Sequence, residues 1–141
     1  MLFIIGIETP KEDQYAYGMV VPAFDDIGYG CVAAADTESD IFNQAKLAIL
    51  DMAEEAYKDG HLLSTLDVGY KDYSSEYKEF DKWIALDVPI ETIRAKQKRI
   101  NITMSEFQLN RVDAFVSSHT NFSDRSDFIA QASEKMMQQY S

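Results

Sequence analysis

Apolar and polar positions change period several times along the chain, and each change predicts an element. The opening MLFIIGI is a short apolar run that ends at the charged ETPKED and predicts a first strand over residues 2–7. A second β-rich run, YAYGMVVP over 15–22, follows ETPKEDQ, whose Pro10 and acidic residues suit a hairpin loop. A third, CVAAA over 31–35, follows the turn FDDIGYG. Beyond DTESD the period lengthens. Apolar residues at 41, 45, 48, 49, 52 and 56 share one helical face, Thr37 fits an N-cap with Asp40 three residues on, and Asp59-Gly60 stops the helix. Residues 61–82 are polar, Tyr-rich and aperiodic, and predict a loop with one short helical turn near Ser75 to Phe80. WIALDVPI over 83–90 predicts a fourth strand, with Pro89 marking an edge or an end.

The strongest local pattern comes last. Ile100, Ile102 and Met104 alternate with Arg99, Asn101 and Thr103, the signature of a short strand with one apolar and one polar face. Ser105 and Gln108 form a capping box, followed by the stripe Leu109, Val112, Phe115 and Val116. After SHTN a second helix begins at Ser123, with Phe128, Ile129, Ala132 and Met136 along one side. One strand and two short helices cannot bury such a face alone, and a lone strand leaves its backbone groups unpaired. Pairing with the same strand of a second copy solves both problems. The resulting two-stranded ribbon would present Arg99, Asn101 and Thr103 twice across an axis, in a form that fits the major groove. There Arg reads guanine and Asn reads adenine. The start of the second helix, at Ser123 and Arg125, would offer amides and a cation to a backbone phosphate.

Charge sharpens the division. The chain has 141 residues and a formal net charge of −11, but residues 1–93 hold 6 Lys/Arg against 19 Asp/Glu, whereas 94–141 hold 7 against 5. The acidic part repels nucleic acid and attracts basic surfaces, and the tail is free to approach phosphate. A hydrophobic content of 46% suffices for one modest core plus an appendage that shares its core with a partner. The opening run is too short for a membrane span, lacks the basic start of a signal peptide, and Cys31 stands alone, so a cytoplasmic protein without disulfides is expected.

Residues 98–139 resemble a ribbon-helix-helix DNA-binding domain, in the alternating strand, the capped first helix and the phrase NFSDRSDFI at the second. The loop has Asn121 where that family often has Gly, and Asp124 is an unhelpful charge beside a phosphate. The first ninety residues resemble the N-terminal domain of HicB antitoxins. That likeness rests on YAYGMVVPAFDDIGYGCVAAADTESDIFNQAKLAI, although AFDDIGYG is longer than the family's usual turn. The resemblance implies an α+β chain in three parts. Residues 1–93 would be a partial ribonuclease H-like β-β-β-α-β unit that has lost its nuclease site and binds a HicA-like ribonuclease toxin. Residues 94–98 would be a basic linker, and 99–141 a ribbon-helix-helix dimerisation module. An acidic surface suits a cationic RNA-binding partner, and Asp25, Asp26, Glu38 and Asp40, flanking the turn and the helix start, are the candidate toxin contacts.

No catalytic constellation accompanies these features. His61 and His119 lack paired zinc-ligand spacing, Cys31 has no nucleophile signature, and Gly28 and Gly30 complete neither a dinucleotide loop nor a P-loop. No cofactor is expected. Glu8, Asp36 and Asp51 are the carboxylates from which a residual metal-dependent nuclease would have to be built. The expected function is an antitoxin that masks its toxin and represses its own operon through operator DNA. A stand-alone regulator whose first domain senses a ligand or another protein is the rival. Whether dimers associate further is open.

Overall fold

The computed structural model describes residues 1–12, 15–94 and 97–141, which fall into two units, Met1–Gln97 and Lys98–Ser141. The expected hairpin loop over 8–14 includes Asp13 and Gln14, and the expected linker over 94–98 includes Ala95 and Lys96. These four positions lie outside the described residues.

In the first unit, strands β1 (Leu2–Glu8), β2 (Tyr17–Val20), β3 (Val32–Ala35) and β4 (Lys82–Asp87) form one sheet in the order β3-β2-β1-β4, every pairing antiparallel. Period-two alternation sends Phe3, Ile5, Ile7 and Met19 to one face, where helix α1 (Ile41–Lys58) covers them. The helix contributes Ile41, Ala45, Ile49, Ala53 and Ala56, all buried, and these three of its four alanines let it lie close to the sheet. Pro22 to Phe24, in a 3-10 helix after β2, closes one end of this core, with the Phe24 ring stacked on Phe3 at 5.9 Å.

The helix boundaries differ in detail from the expectation. Thr37 precedes a 3-10 turn at Glu38–Asp40, and its hydroxyl donates to the Asp40 carboxylate instead of capping a backbone amide. At the other end the amide of Gly60 bonds the Tyr57 carbonyl and that of His61 bonds the Ala56 carbonyl. These are the two bonds of a Schellman closure, which needs the left-handed φ of 90° that Gly60 adopts. Strand β4 stops at Asp87, earlier than the expected 90, because Pro89 cannot donate to a ladder. The short helix α2 (Glu91–Arg94) follows, and Val88, Ile90 and Ile93 turn into the core.

The direction of β4 explains residues 61–81. Helix α1 begins at the end of the sheet where Tyr17 opposes Ala35, and the Tyr17 hydroxyl donates to Glu38 there. It finishes at the opposite end, where the Tyr29 hydroxyl bonds the Asp59 carboxylate. A strand entered directly from that point would run parallel to β1. Instead β4 starts back at the first end, with Lys82 opposite Ile7 and Asp81 accepting from the Thr9 amide and hydroxyl at 2.8 and 2.7 Å. Residues 61–81 make the extra traverse. They bury Leu63 and Leu66, then set Tyr73, Tyr77 and Phe80 around Trp83 at ring-centroid distances of 6.0, 6.1 and 6.4 Å.

Trp83 lies opposite Gly6, and only glycine leaves room for its ring. A Cβ there would stand 2.8 and 2.9 Å from two indole carbons and 3.0 Å from Val20 Cγ1. The indole N–H is buried without an acceptor among the described residues, a cost of roughly 1–3 kcal/mol that the surrounding ring contacts must offset. Gly6→Ala is therefore expected to destabilise the unit by about 1–3 kcal/mol, measured as a lower urea midpoint with Trp83 fluorescence as the probe.

The second unit has helix α3 (Glu106–Ser118) and helix α4 (Arg125–Gln139). Residues 99–104 pair with no described segment of this chain, and the strand expected there is one that pairs with a second copy. Ser105 caps α3 as expected, its hydroxyl accepting from the Gln108 amide at 3.1 Å. The helices meet through Phe115, Phe122 and Phe128, with centroids 5.2–5.9 Å apart. Among this unit's described apolar side chains only Val112 is buried.

Candidate nucleic-acid interface

The segment ahead of α3 keeps the predicted alternation but not its burial. Arg99, Asn101 and Thr103 are exposed, as expected of side chains that meet a ligand. Ile100 and Ile102, which should face a core, are 71% and 55% exposed. A recess lined by Ile102, Thr103, Met104, Leu109, Arg125 and Ile129 opens at this segment. Each such isoleucine is worth about 1.5–3 kcal/mol when fully buried.

Ser123 and Arg125, expected to receive a phosphate, are engaged by the chain's own carboxylates. The Arg125 guanidinium donates from Nε to Asp113 Oδ1 at 3.0 Å and from Nη2 to Asp113 Oδ2 at 2.9 Å. The Ser123 amide donates to Asp127 Oδ2 at 2.9 Å, and the Asp127 amide donates to Asp124 Oδ1 at 2.8 Å, making Asp124 the N-cap of α4. Both acids gain from this arrangement. The bond from Arg125 holds the Asp113 carboxyl below the ordinary range, and the Ser123 amide, with Gln131, does the same for Asp127. Divided at the unit boundary, residues 98–141 carry five Lys/Arg and five Asp/Glu. The net positive charge expected of the tail thus came from Arg94 and Lys96, and the second unit by itself is neutral.

The four candidate toxin contacts do not form one patch. Asp25 and Asp26 follow β2, whereas Glu38 and Asp40 follow β3, and these strands are antiparallel, so the pairs sit at opposite ends of the hairpin. All four are exposed. Asp25 accepts from the Tyr77 hydroxyl, which ties it to the traverse, and burial together with that bond raises the Tyr77 phenol above its ordinary range. This link between Asp25 and residue 77 was invisible in the sequence, because nothing local relates positions 52 apart. The pKa of Tyr29 is likewise pushed up to about 12, chiefly by its bond to Asp59. Among the described residues no group of three His, Cys, Asp or Glu is gathered as a metal site would require, and Glu8, Asp36 and Asp51 are not brought together. No described helix is long and apolar enough to cross a membrane.

With the fold and both surfaces described, comparison with known proteins is decisive on one point. Residues 3–133 match the family described as HicB_like antitoxin of bacterial toxin-antitoxin system. The chain belongs to the HicB-like antitoxin family. It is 32% identical over 132 residues, 93% of each chain, to an uncharacterized 14.9 kDa protein in the rep-hol intergenic region of Haemophilus phage HP1 (strain HP1c1). It is also similar to two solved structures. The Burkholderia pseudomallei antitoxin HicB is 26% identical with a TM-score of 0.45, over 94% of this chain and 96% of that one. Antitoxin HicB3 is 20% identical with a TM-score of 0.48, over 96% and 97%.

The Asp113–Arg125 pair gives a titration that checks it. Because the folded-state pKa of Asp113 is depressed, the pair's stabilisation is present above the unfolded value near 3.8 and is lost as pH falls through the lower folded value. Carboxyl carbon NMR should show Asp113 titrating below the ordinary carboxylate range, and Arg125→Ala should return it there.

Proposed function

We propose that this HicB-like antitoxin neutralises a HicA-like, mRNA-cleaving ribonuclease by covering its active site with residues 1–93. On this reading the first unit is the partial ribonuclease H-like unit of its family, acting as a surface and not as a nuclease. Its 19 acidic residues, against 6 basic, would steer it to a cationic RNA-binding face and compete there with RNA. Residues 99–141 would pair with a second copy as a ribbon-helix-helix dimer, and Arg99, Asn101 and Thr103 would enter the operator's major groove to repress the operon. Both activities belong to the cytoplasm, where the transcript and the promoter are.

One observation carries the second half of this reading. An alternating segment sits unpaired, with Ile100 and Ile102 in solvent, beside helices that bury a single apolar side chain. That combination is unfavourable for a lone chain and is resolved by a second copy, which supplies both a ladder partner and a cover for the isoleucines.

Co-expression with a HicA-like protein, sought as a small basic reading frame beside this one, followed by purification and growth assays, tests the proposal. A stable complex, with a toxin that arrests growth when expressed alone, is the expected result. A dimer that binds promoter DNA and ignores that neighbour would instead make the first unit a sensor. In the same assay Arg99→Ala with Asn101→Ala should abolish operator binding, at roughly 1–3 kcal/mol per lost bidentate base contact, and leave neutralisation intact. Val112→Asp places a carboxylate in the shared core and should yield monomers in sedimentation.

A further inference from the structure

We propose that Asp113, Asp124 and Asp127 form an intramolecular clamp that withholds Arg125 and the first turn of α4 from DNA phosphate, leaving operator contact to the residues ahead of α3. The inference rests on the operator-binding reading above, and it reassigns Ser123 and Arg125, which the sequence alone marks as phosphate contacts.

The geometry carries it. Arg125 presents two parallel donors to both oxygens of Asp113, at 3.0 and 2.9 Å. This is the same fork with which a guanidinium would grip a phosphate, so the two partners exclude one another. The Ser123 amide is spent on Asp127 and the Asp127 amide on Asp124. Asp127 is held in turn by the Gln131 amide at 3.0 Å. A phosphate approaching this helix start meets three carboxylates and one cation that is already neutralised. Of the other cations in the unit, Arg111 lies over the Phe107 ring at 5.9 Å, Lys135 lies on α4 ten residues beyond Arg125, and Lys98 and Arg99 stand together at the start of the alternating segment. Lys98 and Arg99 are thus the two adjacent cations of the unit, and they lie where the alternating segment begins.

Arg125 on this view is a positioning residue that fixes α3 against α4, and Asp113 sets affinity by occupying it. The pair is about half exposed, at 51% and 46%, so its own contribution to stability is small. Asp113→Asn keeps the shape of the side chain and releases the guanidinium.

The test measures duplex binding against KCl concentration for the wild-type chain, Asp113→Asn, Arg125→Ala and Arg99→Ala, with the Arg125 Nε–H resonance as a DNA-independent readout. Asp113→Asn should bind on the order of tenfold more tightly at 0.1 M salt, with a log–log salt slope steeper by about 2 per dimer, one new phosphate contact per chain. Arg125→Ala should leave the slope unchanged, whereas Arg99→Ala should flatten it. The Nε–H signal should be protected in the wild type and lost in Asp113→Asn. A flatter slope on Arg125→Ala, or an Asp113→Asn chain no tighter than wild type, overturns the clamp alone. A wild-type chain that binds no duplex while remaining a folded dimer overturns the operator reading, and the clamp with it.

Discussion

That β4 runs antiparallel to β1 obliges the chain to cross the length of the sheet once more between α1 and β4, and much of the first unit follows from that crossing. Twenty-one residues with no periodicity become ordered because they have apolar work to do at both ends, Leu63 and Leu66 in the core and Tyr73, Tyr77 and Phe80 around Trp83. Gly6 has no side chain because Trp83 needs the space. Asp25 is held by Tyr77 because the crossing passes the 3-10 helix after β2. A segment that looks like linker is thus what closes the sheet and fixes one end of the acidic surface.

The second unit works under the opposite constraint, which is too little to bury. Two helices that join through three phenylalanines and bury only Val112 do not make a stable domain of their own size. The apolar side chains left over include Ile100 and Ile102, the latter lining a recess with Met104, Leu109, Ile129, Thr103 and Arg125. The proposed pairing with a second copy addresses that shortage, since it would cover the exposed isoleucines and pair the backbone of the same short segment.

Charge separates the two units as sharply as packing does. The excess acid lies in the first unit, and the second, counted from Lys98, is balanced. Within that balance position matters more than number. Arg125 is paired with Asp113 at 2.9 Å, so a cation that counts toward the total has its field largely offset by its neighbour. Composition treats such a residue and Arg99 alike, and only their neighbours distinguish them.

The sequence by itself determined the features that depend on near neighbours: the three early strands, the helix over 41–58 with its Gly60 stop, the capped start of α3, the alternation over 99–104, and the family likeness carried by residues 15–49. Periodicity, capping and turn chemistry act over a few residues, so a linear reading finds them. Only the tertiary structure decided the direction of β4, the course of residues 61–81, the role of Gly6, the separation of Asp25 and Asp26 from Glu38 and Asp40, and the capture of Arg125 by Asp113. Each of these is a meeting of side chains or strands between 12 and about 80 positions apart. The residue types permit such meetings without specifying them, because many pairings of an acid with a base, or a ring with a glycine, are chemically equivalent until packing chooses one.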